Sequence, residues 1–146
     1  ASSSGVTVNL TVLTGQTSAG DASGDVLSGI EHLTGSSNDD TLTGDSGVNV
    51  ISGGTGNDTL NGGSGNDTLR GGTGDDALDG GADTDTALYT ATGSSVVANL
   101  TLGTAIAGAN TDTLVNIENV TGSDNADTLT GDEGNDQLQL EERMAA

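Results

Sequence analysis

An all-β solenoid of short stacked coils is the fold the sequence predicts, on three observations. A nine-residue unit recurs eight times, six in one unbroken frame and two after an interruption, each unit offers one apolar side chain at the same position, and the composition cannot build an ordinary core. The 146 residues include only 29 Leu, Ile and Val, about a fifth of the chain, with no Phe, Trp, Pro or Cys. Against 22 acids stand 2 arginines, giving a formal charge of -20. Low aliphatic content with high net charge marks a chain that does not fold unaided, so a ligand must supply cohesion.

The charge also removes functional classes. A field this negative repels phosphate backbones and anionic lipid, which excludes nucleic-acid partners and membrane-surface binding and makes cations the natural ligands. No apolar run approaches the roughly 20 residues of a membrane span, so membrane insertion is not expected. The absence of Cys rules out disulfide staples, thiolate zinc sites and thiol catalysis. No basic region followed by an apolar one begins at Ala1, and the chain reads as an excised segment beside neighbouring domains of a larger one.

The units run Gly35–Thr43, Gly44–Ser52, Gly53–Asn61, Gly62–Arg70, Gly71–Asp79 and the weaker Gly80–Leu88, then resume at Gly122–Thr130 and Gly131–Gln139. Position four is Asn38, Gly47, Gly56, Gly65, Gly74, Asp83, Asn125 and Gly134, residues that tolerate a left-handed backbone, and predicts a tight turn. Position six is Asp40, Asn49, Asp58, Asp67, Asp76, Asp85, Asp127 and Asp136, always a side-chain oxygen. Position eight is Leu42, Ile51, Leu60, Leu69, Leu78, Ala87, Leu129 and Leu138, which predicts a three-residue strand with one inward side chain.

One buried side chain per unit makes no hairpin core, so the units must stack, two of them completing a coil of about 18 residues. The turns then fall into two columns, with Asp40, Asp58 and Asp76 in one and Asn49, Asp67 and Asp85 in the other. Rungs about 4.7–4.9 Å apart would hold carboxylates close together, which requires a cation between them. An ion midway between rungs lies near 2.4 Å from oxygen on either side, within the roughly 2.3–2.6 Å range of Ca²⁺ and too long for Mg²⁺.

The units GGTGNDTLN, GGSGNDTLR and GGTGDDALD resemble the RTX (repeats-in-toxin) nonapeptide GGxGxDxUx. The resemblance implies a parallel β-roll in which Asp40, Asp58, Asp67, Asp76, Asp85, Asp127 and Asp136 ligate calcium between stacked turns; Asn49 departs from the pattern. The nonapeptides cover about half the chain.

Residues 5–45 and 93–132 read as two copies of a longer unit: Val6–Leu10 matches Val96–Leu100, and Ser28–Ser36 matches Val115–Ser123. Val6, Val8, Leu10 and Val12 alternate as a half-buried strand does. Asp25 and Asp112 each precede a Leu by two residues, as position six precedes position eight, and are candidate additional ligands. The whole of 1–146 is therefore expected to be a single roll domain. Its nonapeptide blocks are 35–88 and 122–139, with widened coils at 5–34 and 89–121 and a tail or cap at 140–146 of helical propensity.

Other motifs fail. Asp83-Thr84-Asp85 lacks the Gly and Glu of an EF-hand loop, and Gly-rich turns with no lysine make no phosphate cradle. His32, the one histidine, matches Asn119 in the second long unit and reads as a strand-surface residue; no catalytic constellation forms around it. Asp45, Asp75, Asp79, Asp124 and Asp132, outside position six, read as solvated acids.

The expectation is a non-enzymatic calcium-binding structural module, secreted or on a bacterial cell surface, that folds when roughly six to eight Ca²⁺ ions bind outside the cell. Eight ions would bring the charge from -20 to about -4. By the resemblance, export would be by a type I secretion system. The alternative is that the roll also presents a recognition surface for a glycan, another surface ligand or ice, with Thr55 and Thr73 stacked in one column.

Overall fold

The computed structural model describes residues 4–16, 18, 22–134 and 136–140. Of the tail or cap expected at 140–146, residues 141–146 lie outside them. Fourteen strands and no helix are found among the described residues, in two sheets. The first sheet holds β1 (Thr7–Asn9), β3 (Thr41–Thr43), β5 (Thr59–Ser64), β7 (Ala77–Ala82), β11 (Asn110–Val115), β10 (Thr104–Ala107), β9 (Val96–Asn99) and β13 (Thr128–Thr130), in that spatial order. The second holds β14 (Gln137–Gln139), β12 (Asn119–Thr121), β8 (Thr86–Leu88), β6 (Thr68–Thr73), β4 (Val50–Thr55) and β2 (His32–Thr34).

Successive units alternate between the sheets, and strands two units apart pair in parallel with identical positions opposite one another, as Leu60 and Leu78 do in one sheet and Ile51 and Leu69 in the other. This is a parallel β-roll. Its core is two facing columns of single side chains. Val8, Leu42, Leu60, Leu78 and Leu114 line the first sheet; Leu33, Ile51, Leu69, Ala87 and Val120 line the second, all buried. A fully buried Leu contributes about 1.5–3 kcal/mol, so each coil brings little apolar cohesion of its own.

Two features differ from the expectation. Strands β4 to β7 are six residues long, not three, because the pairing runs on through the two glycines that begin the next unit. The first of these glycines faces inward beside the position-eight side chain. The second widened coil is also not parallel throughout: β9, β10 and β11 form an antiparallel meander before β11 rejoins β7 in parallel. Gly103 (φ 64°) and Gly108 (φ 67°) make its two turns, and a two-residue loop beginning with a left-handed Gly suits a tight hairpin.

The two long units agree at their ends. Strand β1 pairs with β3 as β9 pairs with β13, and Leu10 and Leu100 each donate a backbone hydrogen bond to the Thr that ends the partner strand. They diverge between: no strand lies between Asn9 and His32 among the described residues of the first.

Candidate metal centre

The turns of the roll carry its chemistry. Position one is glycine in every unit because the position-six side chain folds back onto it; a Cβ on Gly53, Gly62 or Gly71 would collide with Asp58, Asp67 or Asp76. The acid is thereby held inside the turn. Asp40, Asn49, Asp58, Asp67, Asp76 and Asp85 are all buried, the last four at 0–3% exposure.

Asp58, Asp67, Asp76 and Asp85 are each anchored across rungs. Asp58 Oδ1 accepts the backbone N–H of Asp40 at 2.8 Å, Asp76 Oδ1 that of Asp58 at 2.8 Å, and Asp112 Oδ1 that of Asp76 at 3.0 Å. In the second column Asp67 Oδ1 accepts from Asn49 and Asp85 Oδ1 from Asp67, both at 2.7 Å, and Glu118 Oε2 from Asp85 at 2.8 Å. The predicted columns are therefore hydrogen-bond ladders rather than bare stacks of carboxylates. Position five runs a second ladder in the opposite direction: Asp39 accepts from Asn57, Asn57 from Asp75, and Asp75 from Thr111.

The second oxygen of position six divides the units into two classes. The Oδ2 atoms of Asp58, Asp67, Asp76 and Asp85 are buried with no hydrogen-bond partner. In the other units that oxygen meets a donor within its own turn: Asp40 Oδ2 accepts from Ser36 N–H, Asp127 Oδ2 from Ser123 N–H at 2.6 Å, and Asp136 Oδ2 from Asp132 N–H at 2.6 Å. Asn49 Oδ1 likewise accepts from Asp45 N–H at 2.8 Å.

The cause is local. Units three to six have Gly at position two, left-handed with φ between 104° and 121° at Gly54, Gly63, Gly72 and Gly81. Position four is left-handed there too, at Gly56, Gly65, Gly74 and Asp83, and the position-two N–H does not meet the carboxylate. The remaining units have Ser or Asp at position two, whose side-chain oxygen accepts the position-four N–H, as Ser36 does from Asn38 at 3.2 Å and Asp45 from Gly47 at 2.8 Å. These are side-chain-closed turns, which need no left-handed residue. The left-handed turn expected at Asn38, Gly47 and Asn125 is replaced for that reason.

Burial raises these carboxyls. Asp76 is pushed up to about 6 from an ordinary 3.8, chiefly by burial; the Asp58 N–H works against it, while the charges of Asp112, Asp58 and Asp75 add to the rise. Asp85 also reaches about 6, through burial and the charges of Asp67, Glu118 and Asp83, against the Asp67 N–H. Asp58 and Asp67 are raised by the same main cause.

An unpartnered anionic oxygen in a buried site is costly, and a hard divalent cation satisfies it, so these residues fit Ca²⁺. Among the described residues no three acidic, His or Cys side chains converge on one point. The rest of a calcium shell would therefore come from backbone carbonyls or water.

Asp112 occupies the next rung after Asp76, and its Oδ2 accepts the buried Tyr89 hydroxyl at 2.8 Å. Asp25 is exposed and stands apart from both ladders. Asp127 and Asp136 are only half-buried. Several acids read as merely solvated have partners: Asp75 and Asp45 accept backbone N–H groups, and Asp79 accepts from Asn61 and Asn116.

Sequence reasoning missed Glu118 and Tyr89. Glu118 was findable, since it precedes inward Val120 by two residues, the spacing of positions six and eight. Nothing local marks Tyr89. The expected stacking of Thr55 on Thr73 is present but extends over two rungs only.

A family model described as the RTX calcium-binding nonapeptide repeat (4 copies) matches residues 25–60, 52–87 and 117–140, together more than half of the chain. No curated protein matches it.

Proposed function

The chain belongs to the RTX calcium-binding nonapeptide repeat family, and from that premise we propose that this calcium-binding structural module folds on meeting Ca²⁺ after export from a bacterial cell. The observation that carries the reading is the set of four buried, unpartnered carboxylate oxygens on Asp58, Asp67, Asp76 and Asp85. Their cost is uncompensated until a cation arrives, so calcium binding and folding are one equilibrium. Where free calcium is scarce the chain stays open; where it is plentiful the turns close.

The module works as a single domain spanning the chain, beside other domains of a larger secreted or cell-surface protein. It holds position-six side chains as ligands and performs no catalysis of its own. Calcium, when bound, supplies positive charge between turns. The chain's own residues supply the frame: position-one glycines seat the carboxylates, and backbone N–H groups fix one oxygen of each. Far-UV circular dichroism tests this. The expected result is a disordered spectrum in chelator that becomes β-structured in millimolar Ca²⁺ and not in equal Mg²⁺; a spectrum indifferent to calcium overturns it.

A further inference from the structure

We propose that the roll takes up four calcium ions, one for each unit with glycine at position two, and that in the remaining units groups of the chain itself stand where an ion would act. The inference rests on the calcium reading above and sets its limits. Eight position-six oxygens look equivalent in sequence, yet only Asp58, Asp67, Asp76 and Asp85 keep an unpartnered oxygen.

The others are closed in a way that extends from one device. Asp40, Asp127 and Asp136 receive the position-two N–H on Oδ2, and Asp40 and Asp127 receive in addition the Ser36 and Ser123 hydroxyls on Oδ1, at 3.0 and 2.8 Å. A carboxylate holding this many donors has its charge stabilised by hydrogen bonds alone. Asn49 carries no charge and receives Asp45 N–H. Beyond the central units Tyr89 places a buried hydroxyl on Asp112 Oδ2, so a phenol closes the first column where the next ion would otherwise follow. The ion-binding stretch is thus bounded by protein donors at both ends of the first column and at the Asn49 end of the second, and these flanking turns form without metal.

Native mass spectrometry with isothermal titration calorimetry of the full chain in Ca²⁺ reads the count directly. Four specifically bound ions are expected, unchanged in Asp127→Asn and Asp136→Asn and reduced by one in Asp67→Asn. Tyr89→Phe, which removes the donor and leaves Asp112 Oδ2 open, should raise the count to five, and this variant keeps the test decisive if Asp67→Asn fails to fold. Any other saturating count in the parent chain, or loss of an ion in Asp127→Asn, overturns the four-site assignment while leaving calcium-dependent folding intact. No bound calcium at all overturns the calcium reading itself.

Discussion

Units three to six and the four outer units share a frame, a position-one glycine and an inward position-eight residue, yet they solve the same turn by opposite means. The central turns use two left-handed backbone positions and leave a carboxylate oxygen unpartnered. The outer turns close through a Ser or Asp side chain and satisfy the position-six oxygen from within. A change of one residue from Gly to Ser or Asp at position two therefore accompanies the change from a turn that wants a cation to one that does not. Repetition in sequence is not equivalence in chemistry.

The difference can be strained first through the core. Leu69 is fully buried and Leu138, at the same position of the last unit, is 37% exposed. Leu69→Ala should cost about 2–5 kcal/mol and Leu138→Ala below about 1 kcal/mol, read by denaturant titration in saturating calcium. Equal losses would mean that the end coil is as well packed as the centre.

The backbone gives the next largest effect. Gly72 has φ 121°, and a Cβ there would strike the Gly54 carbonyl. Gly72→Ala should destabilise the calcium form by at least about 1–3 kcal/mol. Ser36→Ala, at position two of an outer unit, gives up the hydrogen bonds of one hydroxyl and should cost about 1 kcal/mol. Thermal melts of both variants compare a conformational demand with a side-chain one.

The remaining expected effect is that of pH on the calcium-free chain. Asp76 and Asp85 titrate near 6 in the roll against 3.8 ordinarily, so between those values the folded state binds more protons than the unfolded one. Stability contributed by these groups is present in acid and is lost as pH rises towards 6. In chelator the β signal should accordingly be stronger near pH 4 than near pH 7; circular dichroism showing the reverse trend would remove the central carboxylates as its cause.

Much of this was legible in the sequence because the period is local. A nine-residue frame fixes which side chain points inward, and two units per coil place Asp40, Asp58 and Asp76 in one column and Asn49, Asp67 and Asp85 in the other. The spacing of acid and apolar residue singled out Asp112 and Asp25 as candidate ligands; the structure places Asp112 on the first ladder and leaves Asp25 exposed. The antiparallel meander was not legible. Strand β9 carries the same alternation as β1, and whether the following segment turns back twice depends on the turns at Gly103 and Gly108 bringing β11 onto the edge of β7 while β9 pairs with β13.

The sequence by itself determined the roll, its two columns of inward side chains, and the acids set within its turns, since each follows from contacts within one unit or between a unit and the next of its kind. Only the tertiary structure decided that the position-two residue sorts the acids into partnered and unpartnered, and what ends each column. That depends on the direction of single N–H groups at position two and on Tyr89 and Glu118 arriving across 23 and 33 residues of chain, where no repeat constrains them. Hydrogen bonding is directional and short in reach, so a pattern that fixes spacing does not fix who donates to whom.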